Sequence, residues 1–189
     1  MNRINQFVFL ISFLLLCWFG MQAVHELGHV VGALVSGGEI QKVVLNPLSI
    51  SQTEVFPNPH PLAVVWLGPA LGCLMPWLFT WVIPREPKIA KKLAEFFAGF
   101  CLVANGAYIG FGAFNGIGDC GVMLEAGTPF WILPLFGITT FFSGIYLWHQ
   151  LGSATDFLKD PTIIAFSTTY MVLGVLLLMM ICQYFFFPA

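Results

Sequence analysis

Charged side chains are scarce in this chain. Lys, Arg, Asp and Glu account for 8% of the 189 residues, 58% are hydrophobic, and the formal net charge is −2. So few charges cannot solvate the surface of a soluble domain of this length, and they form no basic stripe that would bind nucleic acid. The composition therefore predicts a protein that passes through the lipid bilayer several times.

Cysteine is also sparse, and its placement excludes two kinds of site. The cysteines are odd in number and lie far apart, mostly inside apolar segments, with no pair at the spacing of metal ligands. Neither a disulfide framework nor a cysteine-based zinc site is therefore expected. We expect buried thiols at Cys17, Cys73, Cys101, Cys120 and Cys182.

Hydrophobic runs long enough to cross a bilayer follow one another along the whole chain. The first run does not end at a small-residue cleavage site, so it is expected to remain and span the membrane. The predicted fold is all-α, with about five transmembrane helices in a single membrane-embedded domain, residues 1–189. The predicted spans are residues 7–36, 62–83, 93–114, 128–151 and 163–187.

The connection after the first run is where strands are predicted. Residues 40–45 and 48–55 alternate in part between apolar and polar side chains around Asn46-Pro47, which is typical of a short β-hairpin. Two uses of such a hairpin stay open. Its free edge could add an extended substrate as a further strand, or the hairpin could simply close a solvated loop.

Within the first run, His25, Glu26 and His29 form a His-Glu-x-x-His pattern. Residues four apart stack on one face of a helix, so both imidazoles can bind one ion, and zinc accepts such ligands readily. Glu26 lies one residue further round, where it can reach a water on that ion and act as a general base. The chain's own frequencies of His and Glu give a chance of roughly 0.3% for an accidental match.

The apolar setting of this pattern strengthens the metal hypothesis. An ionisable group inside a span costs at least ~2.5 kcal/mol unless it is paired or ligated. Three such groups in one helical turn therefore call for a compensating partner. The alternative to a metal is a polar cluster that only forms hydrogen bonds with neighbouring helices.

A catalytic zinc usually has three protein ligands, so a third side chain is needed. Because five spans alternate in direction, the loop after the first span and the loop between the third and fourth lie on the same side. Asp119, Glu125 and His60 are on that side, and Asp119 is preferred because its glycine neighbours let a carboxylate turn into the bundle. The other interpretation of Asp119 is a helix cap or loop acid. Candidates on the opposite side are His149, Asp156 and Asp160.

Two features of the later spans carry weaker signals. Gly68 and Gly72 flank Pro69 and favour close helix packing, and the alternative is that this irregular backbone helps to shape a site. Asn105 is an amide inside the third span, where it more often bonds to a neighbouring helix than takes part in catalysis.

Three stretches together resemble the site-2 protease family of intramembrane zinc metalloproteases. The resemblance implies that His25, His29 and Asp119 hold Zn²⁺ and that Glu26 activates water. Two imidazoles with a carboxylate also favour zinc over magnesium or calcium. The stretches, which cover the first two thirds of the chain, are His25-Glu26-Leu27-Gly28-His29 with the residues that follow through Gly38, Trp66-Leu67-Gly68-Pro69-Ala70-Leu71-Gly72, and Gly118-Asp119-Cys120-Gly121.

Two positions depart from the family pattern. The third stretch lacks the Asn and Pro that commonly precede an Asp-Gly pair, and Gly72 stands in a region where an asparagine is common. The residues that would bind a substrate backbone are therefore unknown.

The resemblance implies a metalloendopeptidase that hydrolyses peptide bonds of membrane-spanning protein substrates. Two alternatives belong to other classes. In one, the His-Glu cluster carries a metal or a proton in a membrane metal-binding or transport protein. In the other, the chain is an inactive, protease-like scaffold that holds its substrates.

The distribution of basic residues predicts that the amino terminus is cytoplasmic. This orientation places the motif towards the outer face, whereas the family resemblance implies a site nearer the cytoplasmic face. Lys42 is the basic residue on the motif side, and the other side has Arg3, Arg85, Lys88, Lys91, Lys92 and Lys159.

Overall fold

The computed structural model describes residues 3–84, 88–152 and 165–189. In these ranges five helices are long and apolar enough to cross a membrane. A small antiparallel hairpin follows the first helix, so the predicted fold class is confirmed. The helices are α1 (Arg3–Ser36), α2 (Pro61–Val82), α3 (Lys88–Asn115), α4 (Asp119–Glu125), α5 (Ile132–Gln150) and α6 (Phe166–Phe186), and the strands are β1 (Ile40–Val44) and β2 (Gln52–Val55).

The observed helices differ from the predicted spans mainly where they begin. α3 starts at Lys88 rather than at residue 93, because long lysine side chains can continue a helix into the polar edge of a membrane. α5 starts at Ile132 rather than at residue 128, after a turn in which the Ile132 N–H donates to the Pro129 carbonyl. Residues 163–164 of the last predicted span lie outside the described residues, as do the ligand candidates Asp156 and Asp160 and the basic residues Arg85 and Lys159.

The glycine neighbours of Asp119 predict a turn after α3, and the residues that follow this turn, Asp119–Glu125, form the short helix α4. Gly118 precedes it with a φ of 60°, a left-handed conformation that favours glycine. The glycine therefore makes the turn, and the residues after it are free to form a helix.

Helix α1 is longer than a membrane span requires. Its 34 residues extend over roughly 51 Å at about 1.5 Å per residue, against a hydrocarbon core of about 30 Å. His25 lies roughly 16 Å along the axis from the end of α1 at Ser36. The motif is therefore off-centre, nearer the end that leads into the hairpin.

Glycines bring α1 and α2 unusually close at the level of the motif. A Cβ atom on Gly28 would lie 2.7 Å from the Cα of Gly68, and one on Gly32 would lie 2.8 Å from the Cα of Val64. Real side chains do not tolerate such distances, so only glycine allows this helix pair to approach so closely. The backbone of α2 is thereby placed next to the histidine face of α1.

The hairpin is fixed to helix ends on its own side of the bundle. β1 pairs with β2 in the register Val43↔Thr53 and Val44↔Gln52. The Leu45 N–H donates to the Phe187 carbonyl at 3.2 Å, just beyond the end of α6. β2 is shorter than predicted because the Leu48 N–H donates to the Asn46 side chain, which makes a turn.

The cysteines are free thiols, as expected. Four of them are buried and Cys182 is half-buried. They therefore belong to the apolar packing of the bundle.

Candidate metal centre

Helix α1 carries the motif on its buried face. His25, Glu26 and His29 are only 7%, 3% and 6% exposed, although all three are ionisable. The two imidazole rings lie edge to face, with centroids 4.9 Å apart, as the four-residue spacing predicts. Buried polar side chains need hydrogen-bond partners, and each of these three side chains has one.

Asp119 reaches both imidazoles from the start of α4. Its Oδ2 atom lies 2.8 Å from Nε2 of His25 and 3.4 Å from Nε2 of His29. The two Nε2 atoms are 3.1 Å apart. Ligands at about 2.05 Å from a tetrahedral zinc would be separated by roughly 3.3 Å. The triangle of donor atoms therefore has nearly the size that a zinc ion requires.

Asn105 fixes the orientation of the His25 ring. The asparagine Nδ2 donates to the Cys101 carbonyl at 2.9 Å, which leaves its Oδ1 facing Nδ1 of His25 at 2.6 Å. Because Oδ1 can only accept, Nδ1 of His25 carries the proton. The lone pair of His25 is therefore on Nε2, directed towards Asp119.

The His29 ring is held in the same way by the backbone of α2. Its Nδ1 donates to the Val64 carbonyl at 2.9 Å, so its Nε2 also presents a lone pair. The ring lies over Gly68, where any Cβ atom would overlap with the imidazole. The sequence signal at Gly68 thus corresponds to space for a ligand side chain as well as to helix packing.

These protonation states make the three residues fit a cation. Two lone pairs and a carboxylate oxygen converge within 3.4 Å, and none of these atoms has a proton to share when both Nδ1 atoms are protonated. Outer hydrogen bonds of this kind typically orient histidines that ligate a metal. Two imidazoles with one carboxylate, and room for a water, match a catalytic zinc site.

Asp119 is held in position by the Tyr108 hydroxyl and by the packing of α4 against the bundle. The Asp119 N–H donates to the Tyr108 hydroxyl at 3.1 Å. The neighbouring Cys120 and Met123 of α4 are fully buried in a cluster with Ile109. The carboxylate of Asp119 is thereby held facing the Nε2 atoms of both histidines.

The remaining candidates for the third ligand do not join this group. Among the residues that the structure describes, the ligand atoms that lie within 4.8 Å of one another belong to His25, His29 and Asp119. Glu125, His60 and His149 are not part of that group. The preferred third ligand of the sequence analysis is thus the one that the fold brings to the histidines.

Glu26 is held by the hairpin rather than by a helix. The Thr53 hydroxyl of β2 donates to Oε2 of Glu26 at 2.7 Å. No local sequence pattern indicates this contact, because it joins residues on different elements. It fixes the carboxylate of Glu26 on the cavity that the two histidines also line.

These side chains share one cavity of about 860 Å³. Its walls come from α1, from residues 49–53 of the hairpin region, from the start of α2, from α3 and from α4. A cavity of this size has room for a bound molecule and for water beside the three convergent side chains.

No family model, curated protein or solved structure matches this chain.

Asn105 offers a direct test of the metal centre. In Asn105→Leu the His25 Nδ1–H loses its acceptor, so we expect zinc affinity to fall by roughly 10- to 100-fold. Competition with a fluorescent zinc chelator measures this. Asn105→Asp, which retains an oxygen acceptor, is the matched control and is expected to bind zinc nearly as well as the wild type. Equal affinity of the Leu variant and the wild type would contradict the assigned role.

Proposed function

We propose that this protein is an intramembrane zinc endopeptidase that hydrolyses peptide bonds of membrane-spanning proteins. The observation that carries the proposal is the convergence of His25, His29 and Asp119 beside Glu26 on one cavity. A group that only stabilised the bundle would not need a carboxylate, Glu26, held separately by Thr53. The division into three ligands and one carboxylate is that of a metallopeptidase.

The residues divide the work of hydrolysis between them. A zinc ion bound by the three ligands would polarise the scissile carbonyl and lower the pKa of a water towards ~7. Glu26 accepts a proton from the attacking water and passes it to the nitrogen of the leaving amine. Asn105 and the Val64 carbonyl keep the imidazoles in the tautomer that binds the metal.

A helical substrate would have to unwind before attack, because its carbonyls are engaged in its own hydrogen bonds. The hairpin offers a place for the unwound segment. β2 pairs with β1 in a two-stranded sheet, and residues 52 and 53 of β2 face the cavity. The free edge of β2 can bind an extended chain through main-chain hydrogen bonds.

The test is cleavage in liposomes that contain the zinc-loaded protein and single-span reporters tagged at both ends. One reporter has a glycine-rich break within its span, and its matched control has an uninterrupted leucine helix. We expect the broken helix to be cut within the span, and a zinc chelator or Glu26→Gln to prevent the cut. Intact reporters with the zinc-loaded wild type would instead favour a metal carrier or a scaffold.

Thr53 is expected to affect rate and not metal content. Thr53→Val removes the hydroxyl that holds Glu26, so cleavage should slow by roughly 10-fold, as expected for a lost hydrogen bond to a charged group. Thr53→Ser retains the hydroxyl and should cleave at nearly the wild-type rate. Initial rates at equal zinc content measure the effect, and a Val variant as fast as the wild type would exclude this role.

We also propose that the amino terminus is cytoplasmic. The proposal follows from the excess of basic residues on that side of the bundle. The Leu45–Phe187 hydrogen bond places the hairpin beside the end of the last helix, consistent with an odd number of spans. Protease protection of an amino-terminal tag in inside-out vesicles would show the opposite orientation.

A further inference from the structure

We propose that Tyr108 is a further catalytic residue, which donates a hydrogen bond to the scissile carbonyl oxygen as that oxygen becomes negatively charged. This inference rests on the proposed endopeptidase function. Stabilising such an oxygen is commonly among the largest contributions to catalysis of acyl transfer. No proton is transferred to the oxygen; the phenol only donates a hydrogen bond.

Tyr108 lies beside the ligands and faces the cavity. It follows Asn105 by one turn of α3, and its ring stands edge to face against His25 with centroids 5.8 Å apart. It is 42% exposed and forms part of the cavity wall. A substrate carbonyl brought to the three ligands would therefore come close to this side chain.

The hydroxyl of Tyr108 is held in place by a hydrogen bond that it accepts, so its own proton can be donated to a substrate. It accepts a hydrogen bond from the Asp119 N–H at 3.1 Å, and no acceptor for its own proton is found among the described residues. Gly118 makes this position accessible, because any Cβ atom there would overlap with the Tyr108 hydroxyl. The residue that supplies a ligand oxygen thus also anchors the hydroxyl.

Two other polar side chains near the ligands, Asn105 and Thr53, are already hydrogen-bonded. The amide of Asn105 is used on both sides, by His25 and by the Cys101 carbonyl. The Thr53 hydroxyl donates to Glu26. Gln22 also lines the cavity, but no hydrogen bond among the described residues holds its amide in place. Tyr108 is the donor best placed to meet a developing charge.

The experiment compares Tyr108→Phe with the wild type, using the glycine-broken reporter. The Phe side chain retains the ring beside His25 but lacks the hydroxyl. We expect kcat to fall by on the order of 100-fold, with KM and zinc affinity unchanged. Tyr146→Phe, on the exposed side of α5, is the matched control and should behave like the wild type.

A binding measurement separates catalysis from anchoring of α4. An apolar phosphinic pseudodipeptide, which has tetrahedral oxygens, should bind Tyr108→Phe on the order of 100-fold more weakly, whereas acetohydroxamate should bind both proteins equally. If Tyr108 only anchored Asp119, zinc affinity would fall and both probes would weaken together. Unchanged kcat, or loss of the phosphinic probe in Gln22→Leu but not in Tyr108→Phe, would overturn the assignment. If the wild type itself cleaved no reporter, the endopeptidase proposal would fail instead.

Discussion

Glu26→Gln is expected to abolish peptide-bond cleavage while the bound zinc is retained. The amide cannot accept the proton of the attacking water, and general-base catalysis contributes roughly 10²- to 10⁴-fold to the rate. The amide oxygen can still accept the hydrogen bond from Thr53, so the local structure should be preserved. The measurement is cleavage of the glycine-broken reporter, with zinc content determined on the same preparation.

Glu39→Gln is the matched control for this variant. Glu39 is exposed on the hairpin side of the bundle and does not line the cavity. We expect wild-type cleavage from it. A Glu26→Gln protein that cleaved at the wild-type rate would contradict the role of Glu26 and favour a function as a metal carrier.

Asp119→Ala is expected to lose zinc and activity together. Removing a ligand leaves two imidazoles, and the loss of affinity should exceed the roughly 10- to 100-fold typical of changes to the partners of ligands. The measurement is zinc per chain after dialysis against a weak chelator. Because the buried side chains of Cys120 and Met123 pack α4 against the bundle, the helix should remain in place without the Asp119 carboxylate.

Glu125→Ala is the control, since this exposed carboxylate lies on the same short helix. It should retain zinc. If zinc were lost in His25→Ala and in Glu125→Ala but retained in Asp119→Ala, the third ligand would be Glu125. If zinc were lost in His60→Ala but retained in Asp119→Ala, the third ligand would be His60.

The arrangement of spans could be predicted because the bilayer imposes long apolar runs. The exact residues at which the helices begin were harder to predict from the sequence. The start of α5 depends on a turn around Pro129, and the start of α3 depends on how far lysine side chains extend. The helical character of α4 was hidden by glycines, of which Gly118 makes the turn before the helix.

The motif residues of the site followed from helical periodicity alone. His25 and His29 lie on one face of any helix, whatever surrounds it. The alternation of spans places Asp119, Glu125 and His60 on the side of the motif, and the glycine neighbours of Asp119 favour it among the three. The structure adds that Oδ2 of Asp119 is 2.8 Å from His25.

The partners of these residues could not be predicted, because they are contacts between distant segments. Asn105 was expected to bond to another helix, and it does, but nothing in the sequence showed that its partner would be His25. Thr53 and Tyr108 carry no local signal, since their roles depend on how the hairpin and α4 pack against the bundle.

Metal content of the detergent-purified protein tests the central claim most directly. Elemental analysis is run on the wild type beside His25→Ala and Asp119→Ala. We expect about one zinc per chain in the wild type, as a single three-ligand site requires, and much less in both variants. A wild-type protein without metal, under conditions that preserve known zinc sites, would contradict the claim that these residues form a zinc centre.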